Sequence, residues 1–260
     1  MDIFLIGTGN VAFSLIQAFQ KQGHNIKGVF SRTKEHTKSF CEKFSVPACY
    51  DLSEIPSICD FYFICTSDYG IESAAEMLKE KNGIKVHTSG STQMTILQKF
   101  SKDCGVMYPV QTFSKSKTVD FKNVPLLIEA SSVESEAKLM KLALSLSSDV
   151  RKMTSVQRRF LHLAAVFACN FTNHFIAVSK MLTKTENIDF DLLKPLIQET
   201  MQKALTLDPV KNQSGPAQRD DSQILNLHLE MLKDEILLKK IYSFVSSSIV
   251  DFRERFKNGI

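Results

Sequence analysis

An apolar run, Ile3-Phe4-Leu5-Ile6, passes straight into Gly7-Thr8-Gly9-Asn10-Val11-Ala12, and the residues beyond take up a helical period. Few backbones accept such a junction. Gly7 permits a tight turn, Gly9 lets the main chain come close to a ligand, and the small Ala12 lets the helix pack against the strand. The amide groups of the first helical turn then face outward, and the helix dipole favours an anion there. A glycine string of this kind carries weight only between a strand and a helix, which is its setting here. The pattern predicts a dinucleotide diphosphate at Gly7, Thr8, Gly9, Asn10 and Val11.

Further along, short apolar runs alternate with amphipathic ones, the signature of βαβ units and a parallel sheet. Strands are expected at Asp2–Gly7, Asn25–Phe30, Asp60–Thr66, Ile84–Thr88, Gly105–Tyr108 and Pro125–Glu129, with a weaker one at Val46–Tyr50. Helices are expected at Val11–Gln22, Thr33–Phe44, Ile71–Lys81 and Thr92–Phe100, with Gly23 and Gly83 as left-handed caps. Beyond residue 152 the strand-like runs cease. Long helical periods cover Ser155–Leu182, Asp191–Leu205, Asp221–Lys233 and Asp234–Phe256, with a loop at Pro209 and Ser214-Gly215-Pro216. The reading is an α/β chain with a Rossmann-like parallel sheet domain at 1–152, followed by an all-helical domain at 153–260.

Composition narrows the function classes. A net charge of +4 spread along 260 residues gives no basic stripe for nucleic acid. Arg151, Lys152, Arg158 and Arg159 cluster loosely and read as a solvated helix start. The six cysteines show no metal-ligand spacing, so no metal is expected, and Cys65 and Cys169 read as buried thiols in apolar runs. The first residues lack the features of a cleaved signal, and no uninterrupted apolar run reaches membrane-spanning length. The expectation is a cytoplasmic protein with a small-molecule substrate and neither a nucleic-acid nor a membrane partner.

The second strand tip indicates which dinucleotide binds. NAD-binding proteins carry an acid there for the ribose hydroxyls; this chain has Ser31-Arg32-Thr33. A guanidinium attracts the 2′-phosphate that a carboxylate repels, so the cofactor is expected to be NADP. At the next strand tip stand Thr66, Ser67 and Asp68, as cofactor neighbours or, for Asp68, as a helix cap. Then comes His87-Thr88-Ser89-Gly90-Ser91, in which Thr88 and Ser89 are candidate cofactor contacts and Ser89 and His87 candidate catalytic groups. Tyr108-Pro109-Val110-Gln111-Thr112-Phe113-Ser114 follows, with Gln111 and Thr112 as substrate contacts.

In the helical half, His162, Val166, Cys169 and Asn173 fall on one stripe at ~3.6 residues per turn, bordered by Asn170. Buried polar groups need partners, so a stripe mixing histidine and amides reads as a pocket wall, with a satisfied core histidine as the alternative. His162 or His87 would supply a proton, and Asn170 and Asn173 would bind substrate. Arg219, in Ser214-Gly215-Pro216-Ala217-Gln218-Arg219-Asp220-Asp221, would clamp a carboxylate, with Asp220 or Asp221 capping the next helix.

Taken together, GTGNVA, HTSGS, YPVQTFS, HLAAVFACNFTNHF and SGPAQRDD resemble a bacterial family assigned as NADP oxidoreductases, over nearly the whole chain. That family joins a Rossmann-like domain to a helical domain of uncharacterised function, similar to the C-terminal domain of 6-phosphogluconate dehydrogenase. It is related to pyrroline-5-carboxylate reductases and to an alternative type of ketopantoate reductase. The resemblance implies a homodimer formed through the helical domain, with the active site in the interdomain cleft. Many relatives have His where this chain has Tyr108, so an obligatory acid is not expected there. The expected activity is hydride transfer between NADPH and a small carbonyl, such as the 2-keto acid ketopantoate, or an imine. The alternative is a catalytically silent NADP-binding redox sensor or scaffold.

Overall fold

Alternation along the central strands builds two apolar layers. In β1 (Asp2–Ile6), Ile3 and Leu5 point to one side and Phe4 and Ile6 to the other. In β4 (Ile58–Ile64), Phe61 and Phe63 oppose Tyr62 and Ile64 in the same way. Both strands are buried on both faces, which suits parallel strands covered by helices. The computed structural model describes residues 1–257 and places eight strands in one sheet, in the order β3-β2-β1-β4-β5-β6-β7-β8. The others are β2 (Asn25–Phe30), β3 (Ala48–Cys49), β5 (Asn82–His87), β6 (Cys104–Pro109), β7 (Leu126–Ala130) and β8 (Val150–Lys152).

One apolar layer receives α1 (Asn10–Lys21), α2 (Lys34–Phe44) and α5 (Val133–Leu146). Its aromatic centre includes Phe13 edge-on to Phe44 at 5.0 Å and Phe19 against Phe63 at 5.0 Å. The opposite layer receives α3 (Ile71–Met77) and α4 (Thr95–Gln98). Strand order reverses at β1: β2 and β3 lie to one side of it, and β4 returns on the other. Ligands of such sheets bind at the carboxyl ends of the strands flanking that reversal.

The structure departs from the expectation in several places. The sheet is mostly parallel, but β7 runs antiparallel to β6. The connection between them carries only the short 3₁₀ turn Phe121–Asn123, and a parallel return needs a crossover helix. Neither α5 nor β8 was anticipated, although Ser132 caps α5 by accepting the Ser135 amide and Glu134 and Glu136 fill its first turn. Gly23 does end α1 in the left-handed region, whereas Gly83 lies within β5, where a Cβ would meet the Cys59 carbonyl oxygen at 2.0 Å. Close strand approach, not helix capping, requires that glycine.

The chain divides into two compact units, Met1–Thr172 and Asn173–Ile260. The first retains α6 (Ser155–Ala165), opened by a capping box of Thr154 and Gln157. Arg158, read as solvated, is instead 1% exposed and donates to Glu129 Oε2 at 2.6 Å, the Thr92 carbonyl at 2.6 Å and Ser155 Oγ at 3.1 Å. The cluster looked solvated because nothing local marks Arg158 as inward-facing; its carboxylate lies 29 residues away.

After α6 comes a π-helical segment, Val166–Phe171. A π turn takes more residues than an α turn, so positions past Val166 shift from ideal α-helical spacing and Asn170 comes closer to the line of His162 and Val166. Cys169 stays near the Tyr108 hydroxyl, whose pKa is raised by burial and further by this thiol. Cys169 is exposed, not buried.

The second unit contains α7 (Thr172–Thr185), α8 (Lys194–Thr206), α9 (Ser222–Met231) and α10 (Ile236–Lys257). Asp221 caps α9 by accepting the Ile224 amide, while Asp220 adopts a left-handed conformation and pairs with Arg253. The helical run Ser155–Thr185 is long and apolar enough, by length and composition, to cross a membrane. Arg158, Arg159, His162 and Asn170 interrupt it, which is why no unbroken apolar run was seen.

Candidate active site

The tips of β1, β2 and β4 enclose a cavity of about 290 Å³. Gly7, Thr8, Gly9, Ser31, Arg32, Thr33, Thr66 and Ser67 all line it, as the strand-tip reasoning required. Backbone bonds bring the tips together: the Gly7 amide donates to the Phe30 carbonyl and the Cys65 amide to the Ile6 carbonyl, both at 2.8 Å. Gly7 has φ +110°, and a Cβ there would lie 2.4 Å from the Cys65 carbonyl oxygen. Only glycine fits. Gly9 differs: it is exposed, and a Cβ would meet nothing closer than the Cys65 oxygen at 3.9 Å. No protein contact demands glycine at position 9, but close approach of a diphosphate does.

No Asp or Glu lines this cavity. Residues absent from the expectation also line it, notably His36 on α2 and Ser73, Ala74 and Met77 on α3 or its end. His36 lies six residues past the end of β2 on the first turn of α2, so its helical spacing was the available signal. Val11 is half-buried on α1. Asn10 turns its side chain away from the cavity, and its Nδ2 donates to the Phe113 carbonyl at 3.0 Å.

Next to this cavity is the β5 tip. Ser89 Oγ accepts the Ser91 and Thr92 amides at 3.1 and 3.0 Å and lies 3.1 Å from both neighbouring hydroxyls. Its hydroxyl thus shapes the turn. Thr88 is buried, and Ser91 donates to Asp68, joining the β5 and β4 tips. Asp68 is not a helix cap; Ser67 holds that position in the 3₁₀ turn, without a side-chain bond.

The two candidate proton donors separate sharply. His87 is wholly buried, its Nδ1 accepts the Ser89 amide at 3.2 Å, and its Nε2 has no partner. Burial, reinforced by the Arg158 cation, pushes its pKa down to about 3. A neutral imidazole sealed from solvent, its Nδ1 already accepting a hydrogen bond, has no open path to a substrate atom, so the geometry favours His162 over His87 as the donor.

His162 is half-buried on α6, and its Nδ1 lies 3.3 Å from the Tyr108 hydroxyl. Burial raises the Tyr108 pKa above the usual phenol value, so that residue is a neutral hydrogen-bonding group. Both rings close on Gly90, where a Cβ would meet His162 Nδ1 and Tyr108 Cζ at 2.8 Å. Tyr108 was missed as a partner because it is 54 residues from His162. A cavity of about 390 Å³ lies along His162, Arg159, Ser91 and the apolar side chains of Val156, Phe160, Leu163 and Val166.

The remaining candidates scatter. Asn170 is exposed in the π segment, and Asn173 begins the second compact unit. Gln111 and Thr112 are exposed on the β6–β7 connection and bond each other at 2.8 Å. Arg219 is exposed, with no ion pair among the described residues.

Comparison with known proteins agrees with this geometry. Residues 2–88 match a family described as "NADP oxidoreductase coenzyme F420-dependent", and residues 124–249 match a domain of unknown function, DUF2520. No curated protein matches the chain. Among solved structures, a candidate NADP oxidoreductase of Bacteroides fragilis is 40% identical, covering 96% of this chain and 98% of that one, with a TM-score of 0.90. An imine reductase of Myxococcus stipitatus in complex with NADP+ is 16% identical over 100% of this chain and 95% of its own, with a TM-score of 0.67. A 1-pyrroline-5-carboxylate reductase of Streptococcus pyogenes is 15% identical over 98% of each chain, with a TM-score of 0.63. At these two identities the likeness concerns the fold. The 40% identity across nearly both whole chains goes further, and with both family models matched in order this chain belongs to the NADP oxidoreductases whose Rossmann-like domain is followed by a DUF2520 domain.

Proposed function

We propose that this chain reduces a small carbonyl or imine compound with NADPH, at the tips of β4, β5 and β6. The observation that carries the reading is the carboxylate-free cavity around Gly7, Gly9 and Arg32, which fits a phosphorylated dinucleotide in shape and charge. Bound NADPH supplies the hydride. The chain holds the diphosphate at the Gly9–Val11 amides and the 2′-phosphate at Arg32, Ser31 and Thr33. Ser67 and Thr66 meet the next part of the cofactor, and the turn built by Thr88 and Ser89 borders its reactive end.

His162 is the proton donor in this account. The Tyr108 hydroxyl fixes the ring through Nδ1, leaving Nε2 to give its proton to the atom that gains negative charge. Asn170, on the π segment one turn beyond Val166, hydrogen-bonds the substrate. A 2-keto acid or a cyclic imine meets these requirements, and ketopantoate is the keto acid to test first.

We assign a second copy of the chain as partner. None of α7 to α10 buries a residue, and large apolar side chains line them openly. A surface this apolar needs a cover.

NADPH oxidation across a panel of 2-keto acids and cyclic imines tests the activity. His162→Ala is expected to lower kcat about 100-fold or more, the usual worth of a general acid, with NADPH affinity unchanged. Unaltered turnover in that variant excludes His162 as the donor. Tight NADPH binding without turnover of any compound points instead to a silent sensor.

A further inference from the structure

Beside the dinucleotide cavity lies a second one of about 480 Å³, between α1 and α2. It shares Thr8, Gly9 and His36 with the first, so the two meet at the ribose corner of the proposed cofactor site. Its other charged lining groups are Lys43, two turns along α2, and Lys115, on the β6–β7 connection. No Asp or Glu lines it. Neither lysine forms an ion pair among the described residues.

Lysines without a carboxylate are ordinary on a convex surface; two facing the same concavity are not. Lys43 lies over the Phe13 ring with Nζ 4.6 Å from its centre, which holds the ammonium at the cavity wall. Lys115 comes from a distant part of the sequence and is held in place at two points. The Asn10 side chain latches the Phe113 carbonyl at 3.0 Å, and Phe113 stacks on buried Phe121 at 5.7 Å. The connection thereby crosses the start of α1 as a strap, carrying Lys115 to Thr8 and Gly9.

We propose that this strap completes the 2′-phosphate site of NADPH, with Lys115 as its roof, His36 at the ribose corner and Lys43 as a second cation deeper in the cavity. The inference rests on the cofactor reading above. A phosphate monoester carries roughly −1.5 to −2 charges at neutral pH, more than the one guanidinium of Arg32 neutralises. The diphosphate is served separately by the helix-start amides. The second cavity adjoins the one at the β2 tip through Thr8, Gly9 and His36, and His36 stands on the first turn of the helix that follows β2, the side on which the ribose is expected. These residues therefore add to the preference that Arg32 gives for the phosphorylated cofactor.

The test compares NADPH and NADH binding to the full chain, followed by nicotinamide fluorescence, with melting temperature as a folding check. Lys43→Ala/Lys115→Ala is expected to weaken NADPH about tenfold or more, the worth of one charge-assisted hydrogen bond, while NADH changes less than about twofold. Lys38→Ala, which removes an equal charge from exposed α2 surface outside the cavity, should leave both affinities unchanged. The proposal is overturned if the double variant keeps wild-type NADPH affinity, loses both nucleotides equally, or is matched by Lys38→Ala. Should Arg32→Ala abolish the preference while the lysine variants keep it, the strap assignment alone is lost. Should the wild type bind neither nucleotide, the cofactor reading is lost with it.

Discussion

Replacing Arg158 with alanine is expected to destabilise the sheet-bearing unit by about 3–5 kcal/mol, the usual cost of breaking one side of a buried ion pair. The Arg158 guanidinium reaches Glu129 on β7, the Thr92 carbonyl after β5 and Ser155 at the start of α6. Ser155 in turn donates to Glu129 at 2.7 Å and accepts the Met94 amide at 3.0 Å. Truncation leaves the Glu129 carboxylate, about one-fifth exposed, without its cation, and frees the Thr92 carbonyl. At about 2–4 °C per kcal/mol for a unit of this size, melting should fall by roughly 6–20 °C. Urea unfolding of the variant measures the loss. Arg158→Met/Glu129→Leu, which removes both charges and keeps volume, should recover much of it. A loss below about 1 kcal/mol would show that the pair is dispensable, since ordinary exposed pairs lie in that range.

The second large effect concerns the helical unit. Leu237 and Phe244, seven residues apart on α10, are 70% and 77% exposed. With Met231, Leu192 and Leu196 they form part of an apolar surface that the second unit leaves open to solvent. Obligate homodimers bury about 2,000–5,000 Å² of such surface, and their separated subunits are often unstable. Leu237→Glu/Phe244→Glu should therefore convert a species with the mass of two chains into monomer or aggregate, with a lower melting temperature. Light scattering coupled to size-exclusion chromatography reads the mass. A wild-type monomer, or a variant that stays dimeric and fully stable, contradicts a second copy covering α10.

What the sequence made legible was what local chemistry enforces. The glycine turn, the strand tips around Arg32 and Thr66, and the change from sheet to helix near residue 152 follow from short-range patterns. The structure brings eight of the predicted cofactor residues together in one cavity. Contacts between distant residues were not legible. The inward-facing arginine and the Tyr108–His162 pair depend on partners far along the chain. The α1–Phe113 latch likewise spans 103 positions. The π segment escaped because ideal helical spacing has no means of inserting a wider turn. His87 stood beside His162 as a candidate for a simpler reason: residue type reveals a titratable ring but not whether the fold seals it from water.

Calorimetric titration of the wild-type chain with NADPH and NADH, repeated on Arg32→Ala, tests the cofactor assignment most directly. The geometry at the β1 and β2 tips predicts that NADPH binds at least about tenfold more tightly than NADH, and that the variant keeps clearly less of this preference while still binding NADH. Equal affinities in the wild type, or a preference undiminished by removal of the guanidinium, would contradict it.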